Sequence, residues 1–146
     1  MKIGVDFGGV IVKASEGESF DSNDGLKIEM KDAIATISSL SKNNEIFIIS
    51  KASKRVQLFT RDWLSVVGFY KQANFKPENL YFCEKRKDKV AICLSLGIDC
   101  FIDDNLEVIN SLKGKVSKVI YFNSIKTDKD ILSLNEWARI QYELTS

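Results

Sequence analysis

Ile3-Gly4-Val5-Asp6-Phe7-Gly8-Gly9-Val10 opens the chain, and Cys100-Phe101-Ile102-Asp103-Asp104-Asn105 follows far downstream. Each is an apolar run that delivers carboxylate at its end. Such a run reads as a buried strand with negative charge at its carboxyl terminus, the edge of an open α/β sheet where ligands bind. Two of these edges side by side make a cation site. Adjacent carboxylates such as Asp103 and Asp104 are costly at the end of a buried strand unless a cation or hydrogen bonds compensate them.

The rest of the chain fits one α/β domain over residues 1–146. With 45% hydrophobic and 28% charged residues it has enough apolar surface for a single core. The net charge of +1, with both signs mixed along the chain, gives no field for steering onto nucleic acid or an anionic membrane. The apolar runs are too short to span a bilayer, and Met1 leads straight into a strand without the layout of a signal peptide, which predicts a cytoplasmic protein. Cys83, Cys93 and Cys100 form no CxxC pair and are odd in number, so they read as reduced core residues. There is no histidine, which excludes histidine-based triads and two-histidine metal sites. Catalysis would rest on Asp, Glu, Lys, Ser, Cys or Tyr, with a hard metal ion as the natural helper.

Between Gly8 and Lys27 the sequence turns polar, with Ser15, Gly17, Ser19, Asp21, Asn23 and Gly25, the composition of a surface loop or short hairpin. Ile34, Ile37 and Leu40 then predict a helix ending near Asn43-Asn44, and Glu45 to Ser50 reads as a second strand. Ser53 is placed to cap a helix striped by Val56, Phe59, Trp63 and Val66 until Gly68. Lys76-Pro77-Glu78-Asn79 is turn chemistry before a short strand, Leu80 to Cys83. Asp88 is a candidate cap for a helix through Ile92 and Leu96 that Gly97 ends, and Asp99 to Asp103 reads as the fourth strand. A short helix with Val108, Ile109 and Leu112 stops at Gly114, Lys118 to Phe122 reads as a fifth strand, and Leu134, Trp137, Ile140 and Leu144 stripe a closing helix. Trp63 and Trp137 fall on apolar stripes and are expected in the core. Strands alternating with helices imply a parallel sheet covered on both faces.

In this order, the motifs resemble the haloacid dehalogenase-like (HAD) superfamily, most of whose members are magnesium-dependent phosphatases. The resemblance covers nearly the whole chain. It implies that Asp6 is a nucleophile forming an aspartyl-phosphate, and also a metal ligand. Ser50, ending the second strand, would hold a phosphate oxygen, and the run Lys51, Lys54 and Arg55 just after it would add positive potential for an anionic substrate. Lys89, or Lys85 close by, would neutralise nucleophile and phosphate. Asp103 and Asp104 would hold Mg²⁺, with Asp104 in the direct position and Asp103 its neighbour, and Gly8 would lend a backbone carbonyl. Gly8 and Gly9 would present N–H groups to the phosphate. The implied fold is a three-layer Rossmann-like α/β domain with a five-stranded parallel sheet in the order 5-4-1-2-3. No cap domain is expected, because neither insertion point offers a long enough segment, so the site would be open to a phosphorylated substrate of unspecified size.

One position departs from the resemblance. Asp6-Phe7-Gly8-Gly9-Val10 stands where phosphatases of this family usually read Asp-x-Asp-Gly-Thr, so the acid that protonates the leaving group is Gly8 here. General acid–base catalysis typically contributes about 10²–10⁴-fold, which predicts a slow enzyme unless Glu16, Glu18 or Asp21 substitutes. The alternative is a catalytically degenerate protein that binds metal or a phosphorylated partner without turnover. Asp6-Phe7-Gly8-Gly9 also looks like the first phosphate loop of actin-like sugar kinases, but those need two domains, and Asp103-Asp104 has no place in them. Response-regulator receivers carry their acidic pair early and their acceptor mid-chain, the reverse of the order here.

Overall fold

The computed structural model describes residues 1–13 and 28–145. Its strands are β1 (Lys2–Val5), β2 (Glu45–Lys51), β3 (Leu80–Cys83), β4 (Cys100–Asp103), β5 (Lys118–Tyr121) and β6 (Leu132–Ser133). They form one sheet in the order β3-β2-β1-β4-β5-β6, and every neighbouring pair is parallel. Six strands thus stand where five were expected. Read from the β5 edge, the first five keep the order 5-4-1-2-3, and β6 is added outside β5. Two residues after the polar stretch from Asn123 to Asp130 carry no periodicity of their own; the strand forms by pairing Ile120 with Leu132 and Tyr121 with Ser133.

The helices are α1 (Ala33–Leu40), α2 (Lys54–Val66), α3 (Phe69–Gln72), α4 (Arg86–Leu96), α5 (Leu106–Leu112) and α6 (Trp137–Thr145). Alternate strand residues sort to the two faces, as the two-residue period of a strand requires. Ile3, Val5, Ile46, Ile48, Ile102 and Ile120 pack with residues of α1, α2, α3 and α6. Phe47, Ile49, Phe101, Val119 and Tyr121 pack with residues of α4 and α5. Both faces are buried, which explains why the strands read as unbroken apolar runs. Gly4 is required between them, because the Phe101 ring lies 2.7 Å from where its Cβ would be.

Two helix readings are corrected. On α2 the buried residues are Thr60, Trp63 and Leu64, while Val66 is 84% exposed. The stripe turns by one residue because Leu64 takes the core position and leaves Val66 outside. On α4 the N-cap is Lys85, and Asp88 lies within the first turn, where its charge complements the helix dipole without capping. Ser53 does cap α2, accepting the Val56 N–H at 3.3 Å. Cys83, Cys93 and Cys100 are free and buried. Burial pushes the Cys93 and Cys100 thiols up to about 12, which leaves them inert. No helix among the described residues is long and apolar enough to cross a membrane.

Candidate active site

The chain runs from β1 to β2 on one side and returns to place β4 on the other. The carboxyl ends of β1 and β4 therefore frame the crevice that opens at a switch point of strand order. Asp6 follows β1 directly, and its N–H donates to the Ile102 carbonyl at 2.9 Å, locking it beside β4. Asp103 is the last residue of β4, and Ser50 and Lys51 end β2. After Asp6 the chain turns tightly: the Phe7 carbonyl accepts from the N–H groups of Val10, Ile11 and Val12. Gly9 sits at φ +83°, a conformation that suits glycine. From beneath, the buried Trp137 of α6 donates its indole N–H to the Val10 carbonyl at 2.9 Å and fixes the loop against the core.

At the floor, Lys89 is 3% exposed and bridges two carboxylates. Its ammonium donates to Asp6 Oδ1 at 3.1 Å and to Asp103 Oδ2 at 3.0 Å. Asp103 is fully buried, and its other oxygen accepts the Asn105 N–H at 2.8 Å, so both its oxygens are engaged by the protein. Asn105 in turn caps α5, accepting the Val108 N–H at 3.0 Å. Asp104 brings its carboxyl within hydrogen-bonding reach of Asp6, over the Cα of Gly9. One carboxylate oxygen from each of Asp6, Asp103 and Asp104 lies within 4.8 Å of the other two.

Three carboxylates thus face one buried ammonium, and the surplus negative charge shows in their proton affinities. Burial raises Asp6 from the ordinary carboxylate range to about 6, with Lys89 lowering it and Asp104 raising it. Burial and the nearby Asp6 raise Asp103 to about 7 against the pull of Lys89. Asp104 is also raised, by burial first and by Asp103 second. For Lys89, burial alone would lower the value, but Asp6 and Asp103 outweigh it and hold the ammonium charged. A divalent cation held by these carboxylates would offset this surplus, and an all-oxygen donor set suits a hard ion that keeps several waters. The residues present fit such an ion.

Around this floor lies a cleft of about 200 Å³ lined by Gly8, Ser50, Lys51, Thr60, Arg86 and the charged residues above. The structure therefore brings Asp6, Gly8, Ser50, Lys51, Lys89, Asp103 and Asp104 together, with Gly9 beneath Asp104. Lys85 is exposed at the start of α4, outside the cleft lining, while Lys89 one turn further reaches the floor. Glu16, Glu18 and Asp21, the candidate replacement acids, lie outside the described residues. Sequence reasoning missed Arg86 and Thr60 as lining residues. The signal for Arg86 was its spacing of three from Lys89, which puts both on one helix face. Thr60 gave none, since its hydroxyl is buried and donates to the Val56 carbonyl at 2.9 Å like any helical threonine.

No protein-family model matches the chain, and no curated protein matches it in sequence. Solved structures do. D,D-heptose 1,7-bisphosphate phosphatase from B. bronchiseptica, complexed with magnesium and phosphate, superposes with TM-score 0.69 at 11% identity, covering 98% of this chain and 97% of that one. The cobalt-bound deoxy-D-mannose-octulosonate 8-phosphate phosphatase from Haemophilus influenzae gives 0.65 at 10% identity, over 98% of this chain and 85% of that one. A dehalogenase with an intermediate complex gives 0.62 at 14% identity, with 84% of this chain spanning 59% of it. In overall superposition the chain has the fold of the haloacid dehalogenase-like hydrolases.

Proposed function

We propose that the protein is a magnesium-dependent phosphomonoester hydrolase that works through an aspartyl-phosphate on Asp6. One observation carries the reading: Lys89 joins Asp6 to Asp103 on a buried floor, with Asp104 drawn against Asp6 across Gly9. The magnesium and cobalt of the structurally similar phosphatases support the choice of cation.

Asp6, Asp104 and the nearby Asp103 would hold the ion, which supplies positive charge toward the phosphoryl oxygens and lets an anionic nucleophile approach an anionic ester. Lys89 keeps Asp6 oriented by its 3.1 Å hydrogen bond and adds the second positive charge. Ser50 at the end of β2 offers a hydroxyl to a phosphoryl oxygen. An Asp6 carboxylate oxygen attacks phosphorus, and the bond from phosphorus to the leaving oxygen breaks. Water then attacks the same phosphorus, releases inorganic phosphate and returns Asp6 as carboxylate. Gly8 contributes no side chain, and among the described residues the cleft holds no carboxyl beyond the three of the floor. Unless Glu16, Glu18 or Asp21 supplies the acid, the departing oxygen takes its proton from solvent water and turnover is slow for poor leaving groups.

Phosphate release from a panel of alkyl and aryl phosphomonoesters tests this, in Mg²⁺ and in EDTA, with Asp6→Asn as control. Metal-dependent release abolished in the variant is the expected result. A second reading, a module that binds metal and a phosphorylated partner without turnover, is favoured by the missing acid at Gly8. It prevails if Mg²⁺ binds but even aryl esters yield no phosphate above the Asp6→Asn background.

A further inference from the structure

The geometry points to a ligand with a second anionic group beside its reacting phosphate, gripped by Arg86 and Lys51 at the mouth of the cleft, an inference that rests on the phosphate-site reading above. The cleft's charges are sorted by depth. Asp6, Asp103 and Lys89 are buried, whereas Lys51 and Arg86 are exposed and line the same opening. One divalent ion would balance the charge of the floor, and a phosphoryl group bound there would meet Lys89 and Ser50. Lys51 and Arg86 then remain at the mouth, beyond the group that Lys89 and Ser50 would hold.

Neither has an ion-pair partner among the described residues. They also differ from an ordinary solvated charge run. Of Lys85, Arg86 and Lys87, only Arg86 lines the cleft. It is the first residue of α4 and lies three residues before Lys89, so it stands about one turn above the floor on the same helix face. Lys51 ends β2 immediately after Ser50 and approaches from a different element. A guanidinium presents paired donors that match a phosphate or a carboxylate, and an ammonium carried by a second element adds a further positive charge. The shared chemistry is a compact anion a few atoms from the reacting phosphate.

Calorimetric titration of Asp6→Asn protein in Mg²⁺, with fructose 6-phosphate, fructose 1,6-bisphosphate and 3-phosphoglycerate, tests the inference without turnover. The expected result is roughly 10- to 100-fold tighter binding of the bisphosphate, or of the phosphoglycerate, than of the monophosphate. Which of the two gains identifies a second phosphate or a carboxylate as the preferred group. Arg86→Gln is expected to erase most of that preference and Arg86→Lys to restore part of it. The same ratio read as kcat/KM in the wild-type protein guards against a folding defect in Asp6→Asn. Equal affinity for all three ligands overturns the inference, as does an Arg86→Gln variant that weakens all three alike, because Arg86 then serves the reacting phosphate. Preference without any phosphate release would sink the hydrolase reading and leave the second anion site standing.

Discussion

The Asp104 carboxylate occupies the space where a Cβ at position 9 would lie, so Gly9 is what admits the third carboxylate to the floor. A side chain there would also meet the backbone at φ +83°, which costs about 1–2 kcal/mol for an L residue in the left-handed region. Gly9→Ala is therefore expected to lower stability by about that amount and to push Asp104 away from Asp6. Mg²⁺ affinity should fall by roughly one to two orders of magnitude, a size typical of disturbing groups that orient a metal site. Calorimetry with Mg²⁺ checks it. Unchanged affinity would mean that Asp104 is no ligand.

Among the described residues Lys89 is the only cation buried beside the carboxylates, so its removal separates structural from chemical roles. Lys89→Met leaves Asp6 and Asp103 facing each other without a counter-charge. Breaking a buried pair in this way costs on the order of 3–5 kcal/mol. The loss should be largest at alkaline pH and smaller in mild acid, where protons take the place of the ammonium. Urea unfolding at about pH 8 and about pH 5.5 reads the difference. A loss relative to wild type that is equal at both would show that Lys89 does not neutralise the pair.

Much of this arrangement was legible because its parts sit at strand ends. Asp6, Ser50 and Asp103 each close an apolar run, and a parallel sheet brings all such ends to one edge whatever the loops do. What stayed hidden depends on pairing across the chain. The sixth strand exists only because Tyr121 finds Ser133. The outward turn of Val66 follows from Leu64 taking the core position, which the stripe alone does not decide. Lys85 and Lys89 could not be separated by composition, since one turn of α4 decides which of them reaches the floor. Arg86 looked like part of a solvated run for the same reason.

Without metal, the floor makes stability depend on pH in a direction opposite to that of most salt-bridged carboxylates. Asp6 and Asp103 titrate at about 6 and about 7 in the folded protein, above the ordinary carboxylate value they regain on unfolding. Between about pH 4 and about pH 7 the folded state therefore holds more protons than the unfolded one, so unfolding free energy falls as pH rises through that window. In EDTA the urea midpoint should be higher at about pH 5.5 than at about pH 8, by an amount on the order of 2 kcal/mol. Mg²⁺ should raise the midpoint chiefly at the higher pH, because the ion competes with protons for the same oxygens. A midpoint in EDTA that rises between these pH values, or an Asp103→Asn variant with the full slope, would falsify the assignment.

Gly8 is where a catalytic acid is missing, and restoring one gives the sharpest test of the proposed chemistry. The residue lines the cleft two positions after Asp6, on the loop that Trp137 anchors through Val10. A carboxyl at position 8 would stand beside the departing oxygen, able to protonate it and then to draw a proton from the attacking water. General acid–base assistance of this kind is worth about 10²–10⁴-fold when well placed. Gly8→Asp should therefore raise kcat for alkyl phosphates by at least roughly tenfold, with allowance for imperfect placement. Aryl phosphates should gain far less, because their leaving oxygens depart without protonation. The ratio of alkyl to aryl turnover, measured in Mg²⁺ for both proteins, isolates the effect from any change in folding or metal affinity. A ratio that does not move would mean that proton delivery to the leaving group is already supplied, and that Gly8 is not the gap in this site.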